Sequence, residues 1–321
     1  MERPVTPSHW RFWSTRRTAD SNHSAPETLP SISPHLEIVC CGAFASRYDG
    51  RNIVFARSRK ARELLAFLAT RPGMSATCDE AVTALWPDAE PDRARRLLIN
   101  AAWRIRYSIR ACGLTDSSAL VDALRFEHGR YSLDVDRCDC DLARFRTEQA
   151  RSEAYLRPYT SDTVATRQSS HEAQRLLELD LLVTTPLLVG ESYDWLPTLE
   201  RQIRELRLTT LRRALRLATR GSAHDLALSI AERILTLDML DEPTTALTMR
   251  LHLARGDSAA AATFYRAFRL ALARRYGSAA PTLAQPSHEL QALFAQAAAK
   301  DGAARESASL PPTAQAQAPP T

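Results

Sequence analysis

The chain has 321 residues, 45% of them hydrophobic and 25% charged, with 42 basic residues against 37 acidic ones and a net charge of +5. That length accommodates two domains of ordinary size, and no stretch approaches the ~20 consecutive apolar residues that a membrane span needs. The N-terminus carries arginines and tryptophans but lacks the apolar run of a secretory signal, so the sequence reads as that of a cytoplasmic protein.

Residues 1–35 are rich in Ser, Thr and Pro and read as a disordered leader. Residues 36–135 mix strands with helices. Leu36 to Cys40 reads as a strand, Asp49-Gly50 as a turn, and Asn52 to Phe55 as the returning strand. Ser58 is placed to cap a helix running to Thr70, with Ala61, Leu64, Leu65 and Leu68 on one face, and Pro72-Gly73 ends it. A short helix over Asp79 to Trp86 stops at Pro87. A long one begins near Pro91 and ends by Gly113. Leu120-Val121, a turn at His128-Gly129, and Tyr131 to Leu133 then close a hairpin. Strands, three helices and a hairpin are the order of an α+β winged helix with an added N-terminal sheet.

The third helix carries the functional signal. Ala94, Leu98, Ala102, Ile105 and Ile109 recur at spacings of three and four and form one apolar face. Arg93, Arg96, Asn100, Trp103, Arg104, Tyr107 and Arg110 fall on the other side. A helix of this kind can rest on a core while its outer face enters a DNA major groove. A solvated arginine face is the alternative, and GC-rich coding accounts for much of the arginine: only Lys60 and Lys300 are lysine. Arg93, Arg96, Asn100, Trp103 and Arg104 are the candidates for reading bases. Arg106, Arg110 and Arg130 are the candidates for phosphate. Arg125 and Arg130 flank the hairpin turn, where wing arginines reach phosphate or the minor groove. Residues 36–133 hold fifteen basic against eleven acidic residues, whereas residues 134–321 balance at 23 each. The basic excess therefore lies mainly in the first folded segment, as expected if that segment meets a polyanion.

Residues 136–298 lose strand signals and become helical. Helical patterns run through Glu172 to Leu182, Trp195 to Thr219, Ala223 to Leu237, Glu242 to Arg255, Ser258 to Tyr276, and Ser287 to Ala297, with a loop-like stretch at Arg157 to Ser170. Arg220-Gly221 and Arg255-Gly256 each precede an Ala-rich helix, an offset close to the ~34-residue tetratricopeptide period. Stacked helix pairs of this type bury one continuous core. Residues 299–321, with Ala, Gln and Pro-Pro pairs, read as a disordered tail. The cysteines show no C-x-x-C pair or metal-like spacing and read as scattered reduced thiols. Asp139 and Asp141 read as caps of the helix that follows them.

No phosphate-binding loop, H-E-x-x-H or G-x-S-x-G motif is present, which points away from an enzyme and from any cofactor or metal. The 35-residue leader is too short for a phospho-acceptor domain.

Together these residues resemble the SARP-type bacterial activators, in which an OmpR-like winged helix precedes a bacterial transcriptional activation domain. The likeness rests on Lys60 to Leu68, Ala84 to Pro87, Ala102 to Arg106 and Gly129 to Leu133 in the first domain. In the second it rests on Cys140 to Phe145, Pro186 to Leu188, Asp194 to Leu196 and Ala273 to Gly277. It covers residues 36–298 and implies binding to double-stranded promoter DNA at direct repeats, as a side-by-side homodimer, with recruitment of RNA polymerase. Trp103 departs from the pattern, since many members carry Ser or another small residue there. A helical-repeat adaptor whose winged helix binds protein is the competing reading, and a helical domain that senses a small molecule is compatible with DNA binding.

Overall fold

The computed structural model describes residues 36–55, 58–112, 123–155, 164–277 and 285–309. The leader, Leu120-Val121 and the chain beyond 309 lie outside them. The elements are β1 (Leu36–Val39), β2 (Ala45–Tyr48), β3 (Arg51–Asn52), α1 (Arg59–Thr70), β4 (Ser75–Thr77), α2 (Cys78–Leu85), α3 (Pro91–Arg110), β5 (Leu124–Glu127), β6 (Arg130–Leu133) and β7 (Cys138–Cys140). Seven helices follow: α4 (Asp141–Tyr155), α5 (Val164–Leu181), α6 (Leu196–Arg220), α7 (His224–Leu237), α8 (Glu242–Ala254), α9 (Ser258–Tyr276) and α10 (His288–Ser309).

Two small sheets flank the first helices. The four-stranded sheet has the order β3-β2-β1-β7, with β7 parallel to β1 (Ile38 opposite Cys140) and the other pairs antiparallel. Asp49-Gly50 does form a turn, both residues having positive φ. It joins β2 to β3, however, and not β1 to its partner. The returning strand shrinks to Arg51-Asn52, and β1 pairs instead with β2. The second sheet, β4-β6-β5, adds the three-residue β4 to the expected hairpin, with Ala76 opposite Tyr131. His128 and Gly129, also at positive φ, make its turn.

Helix α1 is buried almost all round, from Ala61 through Leu64, Leu65 and Leu68 to Thr70, because it lies centrally beneath α2, α3, α4 and the second sheet. Ser58 occupies its N-cap position without a side-chain capping bond. Thr77 and Glu80 instead build a reciprocal capping box at α2.

The described helices from α4 onward pack largely in sequence. Helix α5 starts at Val164, inside the stretch expected to be loop, and α10 continues to Ser309, past the residue where composition suggested a tail. The alanine-based repeat corresponds to the α6–α7 and α8–α9 hairpins, with Ala227, Ile230 and Ala261 fully buried at the helix crossings. The carboxylate of Asp180 on α5 is wholly buried and binds Arg207 of α6 at 2.7 Å and Arg233 of α7 at 3.1 Å. None of the described helices is long and apolar enough to cross a membrane.

One apolar core runs from Leu36 to Leu251, across the 135/136 boundary drawn from the sequence, and a second, from Ala246 to Ala297, joins α8, α9 and α10. The connection after α5 returns to the first sheet: Leu188 N–H donates to the Cys40 carbonyl at 2.8 Å, and Val189 N–H to Gly42 at 2.7 Å. Gly42 has φ +101, a conformation L side chains rarely adopt. The Trp195 ring meets Phe67 of α1 edge-on at 5.4 Å.

Candidate nucleic-acid interface

Helix α3 is started by Glu90, whose carboxylate accepts the Arg93 backbone N–H at 3.0 Å, and by Pro91 in the first turn. The backbone N–H groups of Arg93 and Asp92 hold the Glu90 carboxyl below its usual value. Ala94, Leu98, Ala101, Ala102, Ile105 and Ile109 face α1, α2 and β5 and are buried. The opposite face is open. Arg93, Arg96, Asn100, Trp103, Arg104, Tyr107 and Arg110 are all exposed. No carboxylate among the described residues forms a salt bridge with Arg93, Arg96, Arg104 or Arg110, whereas the neighbouring Arg95 sits 3.6 Å from Asp79.

Two rows run along this face at four-residue spacing. Arg96, Asn100 and Arg104 form a polar row. Ile99, Trp103 and Tyr107 form an apolar one, at 59%, 58% and 60% exposure. Trp103 stacks on Tyr107, with ring centroids 5.4 Å apart and planes 19° from parallel. Ile99 was missed in the sequence, where its position beside Leu98 disguised it as core. Its angle on the helix wheel, midway between Arg106 and Arg110, was the signal that could have found it.

The hairpin contributes less charge than expected. Arg106, expected at phosphate, is half-buried and donates from Nε and Nη2 to the Leu124 carbonyl at 3.3 and 3.0 Å, so it joins α3 to β5. Arg125, expected in the wing contact, binds the nearly buried Asp134 at 2.6 Å. Asp134 in turn accepts the Asp136 N–H. Arg130 stays exposed at the turn, touching Ser75 Oγ at 3.3 Å. Phe126, half-exposed on β5 and packed on Tyr131 at 4.7 Å, is a further surface aromatic that the sequence reading passed over.

A second cluster lies at the β1–β7 edge. The thiols of Cys40 and Cys140 face each other at 3.8 Å, and with an Asp141 oxygen their ligand atoms lie within 4.8 Å of one another. Chain spacing could not reveal this, because strand pairing brings together residues a hundred positions apart. The Asp141 carboxylate is already taken by backbone: it accepts from Cys40 N–H at 2.9 Å, Cys41 N–H at 2.8 Å and Leu142 N–H at 2.7 Å. Asp141 therefore clamps the end of β1 as well as the start of α4, beyond the local cap expected of it. Asp139 pairs with Arg144. The hydrogen bond with Cys140, reinforced by burial, pushes the Cys40 thiol well up, and burial does the same for Cys41 and Cys138. A carboxylate already satisfied by three backbone N–H groups suits a structural joint.

Neither a protein-family model nor a curated protein sequence matches the chain. Among solved structures, Mycobacterium tuberculosis EmbR in complex with a low-affinity phosphopeptide matches with a TM-score of 0.60 and 18% identity, over 86% of this chain and 69% of that one. The likeness is one of fold: a small region of strands and helices followed by a long run of helices.

Proposed function

We propose that the protein is a sequence-specific, double-stranded-DNA-binding transcriptional regulator of the SARP type. In this reading residues 36–135 form an OmpR-like winged helix and residues 136–298 a tetratricopeptide-like bacterial transcriptional activation domain. The observation that carries it is the outer face of α3, where Arg93, Arg96, Arg104 and Arg110 are exposed beside Asn100 and form no salt bridge among the described residues. Arginine forks read guanine and asparagine reads adenine, while the exposed Ile99–Trp103–Tyr107 row offers apolar contact to thymine methyl groups. The EmbR-like fold supports the same reading. Activation through RNA polymerase, side-by-side dimers on direct repeats, the absence of enzymatic activity and cofactor, and a cytoplasmic location belong to this proposal.

The test is selection of binding sites from random duplex DNA, followed by gel-shift titration. Arg96→Ala and Arg104→Ala should each cost about 1–3 kcal/mol and relax the selected sequence at one position. Unchanged affinity in both variants would overturn the helix assignment. The apolar row is also what a protein-binding winged helix would expose, as in an adaptor. A regulator loses affinity steeply as salt rises, through counterion release, and an adaptor does not.

A further inference from the structure

The helical region holds an open groove of about 890 Å³ between the C-terminal half of α6 and the start of α8. Its floor is apolar, built from Leu215, Leu240, Pro243 and Leu247. Its rim carries arginines 212, 216 and 220, which recur every fourth residue and so project from α6 one turn apart.

Three arginines and three acids line this rim, so it is neutral overall, but two of the arginines stand apart from the acids. All three acids lining the groove are engaged within the fold. Asp241 caps α8 through the Thr244 N–H at 3.0 Å and binds Arg212 at 2.7 Å. Asp238 accepts the Leu240 N–H at 3.1 Å and lies 3.5 Å from Arg212. Glu242 accepts the Ser287 N–H at 2.9 Å. Arg212 is thereby neutralised. Arg216 and Arg220 are exposed and form no salt bridge among the described residues. An apolar floor beside two guanidinium groups that form no salt bridge among the described residues fits a ligand with an apolar body and carboxylates about one helical turn apart. Pockets for small molecules enclose most of the ligand, whereas this groove is open to solvent along its length and suits an elongated chain.

We propose that the α6–α8 groove is a docking site for an acidic peptide segment of a partner protein, seating an apolar side chain on Leu215, Leu240 and Leu247 and its carboxylates on Arg216 and Arg220. The reading is independent of DNA binding, since these residues belong to helices remote in sequence from α3.

The probe is a fluorescein-labelled nine-residue peptide alternating glutamate with leucine, titrated against the full chain by fluorescence anisotropy at physiological salt. Saturable binding in the micromolar range is expected. It should weaken at least tenfold when glutamine replaces glutamate, when serine replaces leucine, and in the double variant R216Q/R220Q. The control R201Q removes an exposed arginine from the far end of α6 and should bind as the parent does. Thermal melts establish that the variants fold; should the double variant be unfolded, the two peptide substitutions decide. No saturable binding, equal binding of the glutamine peptide, unchanged binding by a folded R216Q/R220Q, or an equal loss in R201Q would overturn the proposal. So would full displacement by free glutamate at the concentration of the peptide, which would mark a small-anion site.

Discussion

Across 101 residues of sequence, the carboxylate of Asp141 accepts the backbone N–H of Cys40 through both oxygens, at 2.9 and 3.1 Å. One oxygen also takes the Cys41 N–H. The contact fixes the end of β1 to the start of α4, where β7 already runs parallel to β1. It therefore joins the strand–helix region to the helical region at the point where the chain passes from one to the other.

Removing this clamp should be costly. Asp141→Ala leaves the N–H groups of Cys40 and Cys41 without their acceptor, and hydrogen bonds to a charged group are among the stronger ones. A loss of about 2–4 kcal/mol is expected, with Asp141→Asn losing less because one carbonyl oxygen remains. Urea unfolding measures both. A loss below about 0.5 kcal/mol, the range of ordinary surface substitutions, would mean that the clamp is not structural.

The thiols around the clamp predict an alkaline weakness. Cys40, Cys41 and Cys138 all have folded pKa values raised above the ordinary 9.0. Below that value both folded and unfolded chains keep these thiols protonated, and the stability is fully present. Above it the unfolded chain ionises first, so stability falls as pH rises towards the folded values. Each thiol contributes a slope of about 1.4 kcal/mol per pH unit in that window. Urea midpoints at about pH 8 and pH 10 should therefore differ strongly, and Cys138→Ala should reduce that difference, the rest coming from the other thiols that burial raises, Cys78 and Cys112 among them. An unchanged slope in that variant would refute the assignment.

The sequence showed what is local. The apolar stripe of α3 and its arginine face were legible because a 3.6-residue period displays both at once, and the caps and turns at Pro72-Gly73 and His128-Gly129 were legible from residue chemistry. What escaped depends on contacts between distant positions. Strands β4 and β7 have only three residues each, too short to show alternation, and exist because Ala76 meets Tyr131 and Cys140 meets Ile38. The same holds for individual arginines. Arg106 and Arg110 look alike on a helix wheel, yet the Leu124 carbonyl lies within reach of one of them. Arg125 has a partner in Asp134, nine residues on, only because the hairpin folds back.

That difference separates two arginines in solution. Arg106→Gln should destabilise the protein by about 1–2 kcal/mol through loss of the bond to Leu124. It should leave the slope of log affinity against log salt unchanged. Arg110→Ala should leave stability within about 0.5 kcal/mol of the parent and lower that slope by about 0.9, the value for one released counterion. Titrations of the same duplex at several salt concentrations measure both. A reduced slope for Arg106→Gln would show that its guanidinium leaves Leu124 to meet phosphate.

The apolar row gives the sharpest test of whether α3 reads DNA. Ile99, Trp103 and Tyr107 are more than half exposed on a folded chain, so truncating Ile99 should change stability by no more than about 0.5 kcal/mol. If the row packs on thymine methyl groups, replacing one thymine at a time by deoxyuridine in the best selected site should weaken binding at one or two positions. The loss should be about 0.8 kcal/mol, the value of one buried methyl-sized group. The same substitution should cost nothing further in Ile99→Ala or Trp103→Ala, because the partner of that methyl is already gone; such coupling marks a direct contact. Deoxyuridine that is tolerated everywhere would remove the row from the DNA interface. If Ile99→Ala still binds DNA as the parent does, the row instead becomes a surface for contact with protein, on a helix whose arginines alone face the nucleic acid.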